Sequence, residues 1–76
     1  MKNGELTPRE LEVLTLVAQG KVDKDIAAAL EISRSTLRSH MAAIFLKTEA
    51  DNRTAAASWY FRNVGEDPRD RDRTSR

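Results

Sequence analysis

The sequence predicts an all-α domain of four short helices, and three observations carry that reading. A complete set of helix-start signals opens the chain at Thr7, Pro8 and Glu10. Apolar residues then recur at three- and four-residue spacings, the period of one helix face. Only Ile32 stands between Glu31, at the end of the second periodic stretch, and Ser33, at the start of the third, so two helices must be joined by a very tight turn. With 76 residues there is material for one core, and a domain so small buries only about 60% of the surface its unfolded chain exposes. Apolar residues thin out after Val64, which places the folded unit at residues 5–64 and leaves residues 65–76 as a disordered charged tail.

In "LTPRELEVLTLVAQG" Thr7 is the expected N-cap. Pro8 occupies the first helical position, where a missing N–H is harmless, and Glu10 completes a capping box. Leu11, Leu14 and Ala18 are expected on one buried face, with Val13 and Val17 beside them, and Gly20 ends the helix because glycine tolerates a left-handed backbone. A second helix follows in "VDKDIAAALEIS", with Asp23 as its expected cap and Ile26, Ala27 and Leu30 facing inward. Its alanines let another helix approach closely. A third helix starts at Ser33, and its Leu37, Met41, Ile44 and Phe45 form one core-facing stripe. Two helices joined so tightly, the first with a small-residue waist, make a helix-turn-helix. The fourth helix is expected from a cap at Asn52 to about Asn63. Trp59, Tyr60 and Phe61 span roughly 200° of its circumference, so they cannot all face one interior.

Net charge is +1, but it is unevenly placed. Residues 1–31 hold four bases and six acids, residues 32–48 three bases and no acid, and residues 49–76 six of each. The third helix is therefore acid-free, and its outer face carries Arg34, Ser35, Arg38, Ser39, Ala42 and Leu46. Such a face suits an anionic partner, since a helix N-terminus adds its own partial positive charge. In the tail, the alternating signs from Arg69 to Arg73 cancel one another, which argues for a solvated segment rather than a groove-seeking arm.

Taken together, "LTPRELEVLTLVAQGKVDKDIAAALEISRSTLRSHMAAIF" followed by "NRT" resembles the LuxR-type (LuxR/FixJ/NarL/GerE) helix-turn-helix DNA-binding domain, over roughly residues 5–63. The resemblance implies a four-helix bundle whose third helix enters the major groove of double-stranded DNA and whose fourth mediates homodimerisation. Carried residue by residue, it makes Arg38 the main base or phosphate reader and gives Thr36 a phosphate contact. Arg34, Ser35 and Ser39 then face the groove, flanked by Lys24 and Lys47. Glu10, Leu14 and Gly20 match structural landmarks. Ala56, Trp59 and Tyr60 are expected at the dimer interface. Glu31 stands where the family often has glycine, Thr48 and Glu49 replace its usual leucine-glycine pair, and Ala42 and Leu46 occupy groove-face positions where a longer polar or basic residue is common.

Other chemistries fit poorly. The absence of cysteine excludes disulfide scaffolds, thiolate zinc sites and thiol nucleophiles. His40 is the single histidine; it is expected to be a part-buried structural or phosphate-bonding residue, and no metal or other cofactor is expected. No serine has histidine and carboxylate partners at a suggestive spacing, so no enzyme activity is expected. No apolar run approaches the ~20 residues of a membrane span and the N-terminus lacks a signal-peptide core, pointing to a soluble protein of the bacterial cytoplasm or nucleoid. Six residues precede Thr7, so no receiver or small-molecule ligand domain is expected ahead of the module. A stand-alone regulator and an excised domain both fit that reading. The expected function is transcriptional regulation by a dimer on an inverted repeat. The rival is a protein-interaction module that binds or inhibits a larger regulator of the same type through helix four.

Overall fold

The computed structural model describes residues 6–64, and the expected tail at 65–76 lies outside them. Among the described residues there are four helices and no strand: α1 Pro8–Ala18, α2 Asp23–Leu30, α3 Arg34–Thr48 and α4 Arg53–Asn63.

Side-chain capping starts three of them. The Thr7 hydroxyl accepts the Glu10 N–H at 3.1 Å while the Glu10 carboxylate accepts the Thr7 N–H at 3.0 Å, which closes the capping box of α1. Ser33 and Asn52 accept from the N–H groups of Thr36 and Ala55 in the same way. Helix α2 differs from expectation. Val22 flanks it without a side-chain cap, and Asp23 is its first helical residue. The Asp23 carboxylate is drawn sideways instead, to the Arg53 guanidinium at 2.7 Å, and Arg53 also donates to the Lys21 carbonyl at 2.9 Å. One arginine thereby ties the start of α4 to the start of α2.

Three helices end in the same six-residue wrap, in which a left-handed residue lets two N–H groups turn back to the last-turn carbonyls. After α1 that residue is Gly20, with φ of 88°; its N–H reaches Val17 O at 2.9 Å and that of Lys21 reaches Leu16 O at 3.1 Å. After α2 it is Glu31 at φ 58°, and after α3 it is Glu49 at φ 60°. The bonds are equivalent: Ile32 N–H to Ala27 O at 3.0 Å, and Ala50 N–H to Phe45 O at 3.1 Å. Both glutamates hold a conformation that costs an L-residue roughly 1–2 kcal/mol, so the turns survive the loss of glycine under strain.

The core joins Val13, Leu14 and Val17 of α1, Ile26 and Ala27 of α2, Leu37, Met41 and Ile44 of α3, and Ala56 of α4. Fully burying a side chain of the Leu or Ile kind is worth about 1.5–3 kcal/mol. Helix α1 packs chiefly on α4 and α3, and α2 chiefly on α3, so α3 is held from two sides. The buried face of α1 runs through Glu10, Val13, Leu14 and Val17, whereas Leu11 and Ala18, expected inside, are only half-buried. Ala56 is fully buried. That corrects its assignment to a dimer interface: its methyl is spent in the core of its own chain, where a small residue lets α4 sit close.

Candidate nucleic-acid interface

The long helix α3 shows two stripes with the same spacing. Leu37, Met41, Ile44 and Thr48 are buried; Ser35, Ser39, Ala42 and Leu46, each two residues earlier and so roughly 200° around the axis, are exposed. The inner stripe locks the rotation of the helix, and the outer stripe faces away from the core. Arg34, Thr36 and Arg38 are exposed alongside it. Ser33 donates its hydroxyl to that of Thr36 at 3.0 Å, which pins the first turn of α3. No carboxylate lies on this helix before Glu49.

Lys24, in the first turn of α2, lines one open groove with Arg34, so the turn brings two of the expected contact residues together. Lys21 and Arg53 line the same groove, together with Asp23, the ion-pair partner of Arg53. Sequence reasoning assigns Gly20 to a helix end and Asn52 to a cap, and passes over the cations that follow them, Lys21 and Arg53. The signal is present, since both cations sit beside helix starts. His40 is half-buried on α3, and no cluster of metal-ligating side chains occurs among the described residues.

Lys47 is held differently from the arginines. Its ammonium donates to Glu10 Oε1 at 2.7 Å, and its side chain is 30% exposed against 9% for Glu10. The Glu10 carboxylate thus joins the cap of α1 to the last turn of α3. Burial pushes this carboxyl group upward, and the bond and charge of Lys47 together with the bonds from Thr7 outweigh that effect, leaving its pKa below the ordinary value.

On α4, Trp59 and Tyr60 are half-buried and packed against the core. Phe61 is exposed, its ring edge-on to Tyr60 with centroids 5.5 Å apart. Val64 is exposed just beyond.

A helix of 15 residues, anchored on one side and bare on the other, follows an eight-residue helix across the three-residue turn Glu31–Ser33. That arrangement defines a helix-turn-helix protein. The family model for bacterial regulatory proteins of the luxR family (GerE) matches residues 4–60. The chain belongs to this family, whose members are transcription regulators and not enzymes. It is similar to the transcriptional regulatory protein LiaR of Bacillus subtilis, with 43% identity over 58 residues, covering 76% of this chain and 28% of LiaR. It is 49% identical over 53 residues to the transcriptional regulatory protein YhcZ of the same organism, covering 70% of this chain and 25% of that one. The nitrate/nitrite response regulator protein NarL of Escherichia coli is 42% identical over 55 residues, 72% of this chain and 26% of NarL. The matched segment thus spans about a quarter of the length of these relatives. No helix among the described residues is long and apolar enough to cross a membrane.

Proposed function

We propose that this protein is a sequence-specific regulator of transcription that inserts α3 into the major groove of double-stranded DNA, as a dimer on an inverted repeat in the bacterial cytoplasm. The observation that carries the reading is the bare, acid-free outer face of α3, fixed in rotation by the buried stripe beneath it. Arg38, on the edge of that face, reads a base or grips a phosphate. Arg34, Ser35 and Ser39 meet the groove wall and floor, and Thr36 contacts a phosphate. Lys24 joins Arg34 at the mouth of the α2 groove, where cations steer the phosphate backbone. Lys47 flanks the groove face and acts through its ion pair with Glu10, which fixes the last turn of α3 against the cap of α1. Half-sites stand about one helical turn apart. The half-buried Trp59 and Tyr60, with the exposed Phe61 edge-on to Tyr60, supply the two-fold contact between copies.

The test is affinity for duplex DNA across a salt series. Each phosphate neutralised contributes a slope of about −0.9 on a log–log plot, so a steep negative slope is expected. Arg38→Ala lowers specific affinity by about 1–3 kcal/mol and relaxes one position of the site if it reads a base; equal weakening on all sequences marks a phosphate contact. No duplex binding at ~50 mM salt refutes the proposal and favours the interaction module acting through α4.

A further inference from the structure

The outer stripe of α3 changes character along its length. It begins with two hydroxyls, Ser35 and Ser39, and ends with two hydrocarbon groups, Ala42 and Leu46. Leu46 is 79% exposed, an extreme value for leucine in a domain whose other long aliphatic side chains are mostly tucked into the core. Beside it lies a shallow depression lined in part by Ala42, Phe45, Glu49 and Asp51. The two carboxylates at that end repel phosphate, so this half of the helix is not built to grip a DNA backbone. What remains there for a duplex is an apolar contact on the groove floor. The major groove offers one apolar group, the 5-methyl of thymine.

We propose that Ala42 and Leu46 read thymine 5-methyl groups, making the C-terminal half of α3 the part that selects A·T pairs. The inference rests on the major-groove reading above and adds a base preference to it. Ala42 stands one turn beyond Arg38, roughly 6 Å along the axis, which corresponds to about two base pairs at ~3.4 Å each. A selected thymine therefore sits about two pairs from the contact made by Arg38, and the one met by Leu46 lies further along the same groove. Alanine is short enough to let the α3 backbone come near the base edge, and the longer leucine spans the wider gap towards the helix end.

The experiment starts from a duplex obtained by selecting bound sites out of a random pool. Each thymine is replaced singly by uracil, which lacks only the methyl, and affinity is measured for the full chain and for Ala42→Gly and Leu46→Ala. Because the first comparison changes only the DNA, no folding defect can imitate its result. One or two thymines per half-site are expected to show about fourfold weaker binding as uracil, the factor that burying one methyl-sized group carries. That loss disappears in the variant whose side chain met the methyl. Duplex binding that ignores every thymine-to-uracil change, or a loss that persists unchanged in both variants, overturns the inference and leaves the groove reading intact. A chain that binds no duplex overturns both.

Discussion

Lys47→Met keeps the length and apolar stem of the side chain and removes the ammonium that faces Glu10 at 2.7 Å. The 7%-exposed Glu10 would then keep its bond from the Thr7 N–H but lose the cation that offsets its burial. Removing one partner of a fully buried ion pair costs about 3–5 kcal/mol, and losing a hydrogen bond to a charged group about 1.5–3. Lys47 is 30% exposed, so water can partly replace it, and about 2 kcal/mol at pH 7 is expected. For a domain of this size that corresponds to a fall in Tm of roughly 8–16 °C. The effect carries a pH signature. In the native protein the Glu10 carboxyl lies below its ordinary 4.5, so its contribution is fully present above that value and is lost as pH falls through the lowered one. In the variant, burial is opposed only by the bonds from Thr7, so the carboxyl lies higher than in the native protein and protonation relieves the stranded charge sooner as pH falls. The stability gap between the two proteins should therefore shrink as pH drops from 7 to about 4. Urea titrations followed by the fluorescence of Trp59, the single tryptophan, measure both quantities. A gap below about 0.5 kcal/mol, or one that does not change with pH, would refute the reasoning.

The helix ends give further outcomes. Glu31→Gly and Glu49→Gly each relieve a left-handed glutamate and loosen the unfolded chain, for a net gain of about 0.5 kcal/mol in urea unfolding, additive because the two lie at opposite ends of α3. Gly20→Ala does the reverse: an added Cβ meets nothing within 4 Å, so its cost of about 1 kcal/mol is purely that of the backbone at φ 88°. Arg53→Met removes an ion pair with Asp23 whose side chains are 41% and 46% exposed, and costs under about 1 kcal/mol, which sets it apart from Lys47→Met.

Local chemistry makes much of this fold legible in the amino-acid sequence. Thr7, Ser33 and Asn52 cap where their positions suggest, because capping involves residues three apart. The stripe Leu37, Met41 and Ile44 is buried because a long, well-separated period leaves only one way to turn the helix. What escapes the sequence depends on how helices meet. Glu10 reads as a cap residue, and its second role requires Lys47, 37 positions away. Asp23 reads as a cap until Arg53 competes for it across the fold. Helix α4 is apolar around much of its circumference, so periodicity does not choose its inner face. Packing against α1 selects Ala56 over its equally small neighbours Ala55 and Ala57, which are only half-buried. In the site, the arginines are legible as an acid-free stretch, while the joining of Lys24 and Arg34 in one groove needs the turn between α2 and α3.

The central claim is that the outer face of α3 sits in a major groove. Dimethyl sulfate attacks guanine at N7 in the major groove and adenine at N3 in the minor groove, so footprinting a selected duplex separates the two directly. Guanine N7 protection in two clusters about one helical turn apart, with one guanine exposed again by Arg38→Ala, is the predicted result if Arg38 reads a base. Protection confined to adenine N3, or a bound complex with every guanine N7 still reactive, would contradict it.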